Sequence, residues 1–216
     1  MSRASATVAK TRRAAAIAAA VWLAGALAAC SAAPRGGAGG QGEAGDGTGT
    51  EEGDVLPALS WDGYLVSDAS AATDSADAKF TTGALASSGA RLAVLHFSEY
   101  SEVGSRHGAV DLSAAGADLS AAGGIAAEIL VSRSGSEPNG NELREWAWGL
   151  QLHITTLRDA ADAPGATWAA VGITEVALVV ELPSMKILAR YEGRPGGNGP
   201  SSAAQAIPDA LARLRQ

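Results

Sequence analysis

The 216-residue sequence holds a single cysteine, Cys30. An intrachain disulfide framework and a multi-cysteine metal site are therefore excluded. Aromatic residues make up 5 % and charged residues 18 % of the chain, so a binding surface has few rings and few charges to draw on. Basic side chains number 16 against 23 acidic ones, for a net charge of −7. That balance argues against a nucleic-acid partner. The first apolar run, 14–29, covers only 16 residues, fewer than the roughly 20 of a membrane-spanning helix. The length allows one ordinary domain with appendages.

The N-terminus carries the strongest signal. Residues 1–13 contain Arg3, Lys10, Arg12 and Arg13 and no acid, the apolar run follows, and small residues lead to Cys30. These are the three parts of a secretory signal. Its end, Leu27-Ala28-Ala29-Cys30, resembles the lipobox of bacterial lipoproteins, with the only cysteine at the required place. The resemblance implies a diacylglycerol on the Cys30 thiol, cleavage before Cys30 and acylation of the new amino group. An uncleaved signal anchor with an incidental cysteine is the other reading. One acyl chain anchors only marginally, at about 0.8 kcal/mol per buried methylene, so extra chains matter. Loss of residues 1–29 removes four basic side chains and no acid, leaving 12 basic and 23 acidic, or −11. The lipid, not a basic patch, then has to hold the protein to a membrane. Ser31 stands where an Asp in lipoproteins of double-membraned bacteria favours retention at the inner membrane. The resemblance thus implies a cell-envelope protein, at the outer membrane facing the periplasm where the organism has one, otherwise on the outer face of the cell membrane.

Residues 30–54 are expected to form a flexible tether. Glycine fills nine of the nineteen positions from Gly36 to Asp54 and no large apolar residue occurs there, so little surface can be buried to offset ordering entropy. Composition changes at Val55, and 55–216 is expected to be one domain. Arg91–Phe97 is a short continuous apolar run, the pattern of a strand buried on both faces. Apolar residues from Leu112 to Leu130 recur at three- and four-residue steps, predicting a helix capped by Asp111 and ending near Ser132. Within it, residues 111–117 are nearly repeated as 118–124. Trp146, Trp148, Leu150, Leu152 and Ile154 alternate with small or polar residues, predicting a strand with both tryptophans on the core face. A second run, Trp168–Leu182, and a third, Lys186–Glu192, join through Pro183-Ser184 as a meander. Ala203–Arg215 reads as a final helix, Ser132–Asn141 as loop. The expected fold is α+β, a mostly antiparallel sheet of an N-terminal strand and a three-stranded C-terminal meander, packed with two helices.

That order behind a lipobox resembles the periplasmic domains of envelope-assembly lipoproteins, namely the curli-secretion lipoprotein, the lipoprotein activators of penicillin-binding proteins and the N-terminal domain of the Tol-system propeller protein. The points of contact are the strand 91–97 and the hairpin 177–190. The resemblance implies a binding or assembly role toward an envelope protein or glycan, with Trp61, Tyr64 and Trp168 as contacts if exposed. The other class is an envelope hydrolase or small-ligand binder around His96, at the carboxyl end of its strand, with acids such as Glu99 or Asp111. His107 and His153 fall in a loop and on a polar face. No Gly-x-Ser-x-Gly elbow and no phosphate loop occurs. Asp68, Asp74 and Asp77 lack the alternating ligands and central glycine of a calcium loop. No metal, cofactor or catalytic constellation is expected.

Overall fold

The computed structural model describes residues 47–64, 66–68, 71–72, 78–131, 138–172, 175–193 and 198–216. The signal segment, the lipobox with Cys30, residues 31–46, Asp74, Asp77 and the side chain of Asp68 lie outside the described residues. Chain order runs β1 (Ser60–Tyr64), β2 (Val66–Asp68), β3 (Ala71–Ala72), β4 (Ala78–Thr81), α1 (Thr82–Ala86), β5 (Leu92–Glu99), α2 (Val103–Ala121) and β6 (Gly124–Val131). It continues with α3 (Gly140–Gly149), β7 (Thr155–Asp159), α4 (Ala166–Val171), β8 (Val176–Glu181), β9 (Ile187–Glu192) and α5 (Ser202–Leu214).

Seven strands form one mixed sheet in the order β4-β1-β7-β6-β5-β8-β9, and β2 pairs β3 separately. The central strands β5, β6 and β7 are parallel, and the flanking pairs are antiparallel. The expected mostly antiparallel sheet with two helices is therefore corrected to a mixed α/β sheet with five helices. Leu92–Ser98 are buried throughout, as a strand covered on both faces must be. Leu92 and Val94 face the layer of α2, α3 and α5, whereas Ala93, Leu95 and Phe97 face α1 and α4.

Two departures decide where the site forms. The helix expected from Asp111 to Ser132 begins at Val103, with the Glu102 side chain accepting from Ser105 N, and ends at Ala121. Gly123, with φ of 89°, closes it in the left-handed conformation that glycine tolerates. Residues 124–131 then run as β6 beside β5. The segment 146–154 is not a strand. Asn139 and Glu142 form a reciprocal capping box that starts α3, so Leu143, Trp146, Ala147 and Leu150 share one helical face. Trp146 is buried but Trp148 is 48 % exposed, stacked on Tyr64 and beneath the Arg144 guanidinium. The run from Trp168 likewise divides into α4 and β8.

The domain also starts before Val55. Gly53 N donates to Ile187 O, Ile187 N to Asp54 O, and Arg190 holds the Thr50 carbonyl. Gly47–Asp54 thus lie along the β9 edge instead of belonging to a free tether. The β8–β9 hairpin follows the sequence expectation.

The burial difference between the two tryptophans has a measurable consequence. Trp146→Ala should cost about 3–5 kcal/mol in a denaturant unfolding experiment, and Trp148→Ala under about 1 kcal/mol. Equal losses would return both rings to one core face.

Candidate functional site

Each side chain of the site is placed by the central sheet. His96 sits on β5 next to Glu128 on β6 in parallel register, and both side chains are wholly buried. His96 Nδ1–H donates to Glu128 Oε2 at 2.7 Å, and Ser98 Oγ lies 3.1 Å from the same nitrogen. The other Glu128 oxygen accepts from Trp146 Nε1 at 3.2 Å. Across the ring, Glu175 Oε1 lies 3.6 Å from His96 Nε2, within reach of charge attraction but beyond a hydrogen bond. Glu175 Oε1 also accepts from Ser202 N at 2.6 Å, which sets the carboxylate at the positive end of α5.

The surroundings are shaped for this cluster. Glu175 holds φ of 59°, uncommon outside glycine, with Gly193 N bonded to its carbonyl. A Cβ on Gly108 of α2 would overlap the His96 ring, and one on Gly193 would overlap the Glu175 carboxylate. Both glycines are therefore required for the buried charges to fit. Burial pulls the His96 pKa down, but Glu128, by charge and hydrogen bond, and then Glu175 outweigh it and hold it at about 9. His96 is a cation at neutral pH. It is 0 % exposed, so it acts on its neighbours and not on a solvent-borne substrate.

One neighbour, Trp146, lies beneath a surface pocket. Beside the end of β5, a pocket of about 240 Å³ is lined by Tyr100, Arg106, Glu145, Trp146, Gly149 and Leu150. Its floor, Trp146, is the ring whose N–H Glu128 holds. Tyr100 donates to Glu145 Oε2 at 2.7 Å, a bond that raises the phenol pKa. The Arg106 guanidinium lies 5.9 Å from the Tyr100 ring centroid and 5.6 Å from that of Trp146.

The acids expected beside His96 are elsewhere. Glu99 accepts from Ser101 Oγ, and Asp111 accepts from Ser201 Oγ inside the helical layer. His107 and His153 are exposed and apart from the cluster. Trp61 and Tyr64 are buried, which removes them as exposed partner contacts. The Trp61 indole donates to Thr167 Oγ1 at 2.9 Å. Thr167 also bonds Asp159, whose carboxyl pKa burial pushes up. Trp168 is half-buried against the α1–α4 face. Sequence reasoning missed Glu128, Glu175 and Trp146. A lone acid inside the apolar run 125–131 was the available signal for Glu128.

No protein-family profile and no curated protein matches the chain. Solved structures do. A putative thiol:disulfide interchange protein from Chlorobium tepidum matches with a TM-score of 0.53 at 10 % identity, over 77 % of this chain and 99 % of that one. The thioredoxin domain of a thiol-disulfide oxidoreductase from Bacteroides vulgatus matches with 0.53 at 12 %, over 74 % and 97 %. A secreted thiol-disulfide isomerase from Corynebacterium glutamicum matches with 0.50 at 15 %, over 77 % and 90 %. The fold is thioredoxin-like. This overturns the likeness to curli-secretion and penicillin-binding-protein-activator domains, which rested on a meander that the parallel β5–β6–β7 core replaces.

Thiol–disulfide exchange needs an attacking thiolate, commonly stabilised at a helix N-terminus. The thioredoxin-like domain has no cysteine. At the start of α2, the Glu102 carboxylate accepts from Ser105 N, so a fixed anion already fills the place where a thiolate would gain stability.

The raised His96 pKa makes stability fall with pH. The folded state keeps the proton between 6.5 and about 9 while an ordinary imidazole loses it, so the contribution is complete below pH 6.5 and lost by about 9. It amounts to about 3 kcal/mol at most. Urea unfolding of the wild type should show this decline, and His96→Gln should flatten it.

Proposed function

We propose that this protein is a lipid-anchored component of the bacterial cell envelope whose thioredoxin-like domain binds a partner and performs no thiol exchange. The observation that carries the reading is the pairing of this fold with a domain free of cysteine. Reduction of a substrate disulfide takes two electrons, which a pair of thiols supplies as it closes to a disulfide, and the only thiol of this chain, Cys30, precedes the domain in sequence. The lipobox Leu27-Ala28-Ala29-Cys30 commits that sulfur to a thioether with diacylglycerol. Similarity of fold to a secreted protein supports export, and the acidic charge leaves attachment to the acyl chains. The anchor at Cys30 precedes the described domain by fewer than twenty residues. It keeps the domain in a membrane-proximal shell and raises its effective concentration toward envelope partners.

The test is a thiol titration under denaturing conditions, combined with detergent-phase partitioning of protein taken from the native envelope. Mature protein should partition into detergent and show no free thiol, and Cys30→Ala should leave the detergent phase. A titratable Cys30 thiol on a water-soluble mature protein would contradict the anchor and reopen redox chemistry.

A further inference from the structure

We propose that the pocket beside the end of β5 is a binding site for a free α-amino acid with an apolar side chain, recognised as a zwitterion. The proposal rests on the reading of the domain as a binding module and specifies what that site takes.

The first observation is the state of Arg106. Its guanidinium lies within cation–π reach of two rings, Tyr100 and Trp146, which restrains the group without using its N–H donors. It forms no ion pair and no hydrogen bond among the described residues. A planar fork of donors held in this way matches a carboxylate in bidentate geometry. The second is Glu145 on the same wall. One oxygen is occupied by the Tyr100 hydroxyl, and the other has no hydrogen bond among the described residues. No ion pair within 4.0 Å joins Arg106 to Glu145 among the described residues. The pocket therefore presents one fixed cation and one fixed anion. A dianionic phosphate would meet Glu145 and a simple amine would meet Arg106, but an ammonium and a carboxylate on one small molecule satisfy both.

Size and floor select further. A volume of about 240 Å³ falls below the range of drug-sized pockets and suits a small ligand such as valine. Tyr100 and Leu150, both half-buried in the lining, offer apolar surface to a side chain of that size. The floor is also rigid, because the Trp146 indole is fixed by the buried Glu128 carboxylate, itself held by His96. Polar recognition groups backed by a buried, hydrogen-bonded support are the arrangement that precise ligand placement requires.

The experiment is an NMR titration of the full domain with L-valine, N-acetyl-L-valine and L-valinamide, read at the Trp146 indole N–H and by calorimetry. L-valine should shift the Trp146 signal with saturation, and each blocked analogue should bind at least about tenfold more weakly. Arg106→Gln should abolish discrimination against the amide, and Glu145→Gln discrimination against the acetylated form. Both side chains are solvent-exposed, so the variants should keep the wild-type unfolding midpoint, measured in parallel. No saturable shift with L-valine would overturn the proposal, as would equal binding of the blocked analogues or unaltered discrimination in the variants. None of these outcomes touches the thiol and phase-partitioning test of the domain's anchored, non-redox character.

Discussion

An imidazole sealed between two carboxylates is the constraint around which one face of this domain is arranged. Burying a lone charge is far costlier than burying a hydrogen-bonded, paired one, so each member of the His96–Glu128–Glu175 cluster needs the others in place. The parallel β5–β6 register sets His96 beside Glu128. Glu175 reaches the ring only because its backbone adopts an uncommon conformation and the first turn of α5 supplies a donor. Gly108 and Gly193 leave the space. The cluster ties β5, β6, α3, α5 and the segment before β8 to one another, and through Trp146 it reaches the surface.

The legible part of the fold was the part whose pattern admits a single reading. The run 91–97 could only be a buried strand, and the β8–β9 hairpin shows alternation interrupted by Pro183-Ser184. The strand β6 was hidden because a strand covered on both faces is continuously apolar, and its Ile125, Ile129 and Leu130 also fit helical steps. The Gly123-Gly124 pair, which ends the helix, was the discriminating signal. At α3, alternation from Trp146 to Ile154 imitated a strand, although the Asn139–Glu142 capping box preceded it. Half of that alternation is accidental, since Trp148 points to solvent. Of the site, His96 was visible in the sequence as a polar residue in an apolar strand, although β5 runs on to Glu99 and places it inside the strand and not at its carboxyl end. Of its partners, Glu128 left a signal as a lone acid in the apolar run 125–131, whereas Glu175 lies 79 residues away and meets the ring only through the fold.

A thioredoxin-like fold does not bring thioredoxin chemistry with it, because function belongs to the site a scaffold presents. Here the junction of β5 and α2 carries carboxylates, hydroxyls and an aromatic ring. The start of α2 is neutralised internally by Glu102. The buried Glu128 carboxylate behind it holds the Trp146 indole in position, and Arg106 and Glu145 are exposed at the adjoining pocket.

The protonation of His96 is read by ring-nitrogen NMR of the 15N-histidine-labelled protein. As a buried imidazolium at pH 7, His96 should carry protons on both nitrogens, giving the near-equal shifts of the cationic ring, with titration only near pH 9. A neutral His96 at pH 7, with the widely split nitrogen shifts of a single tautomer, would contradict it.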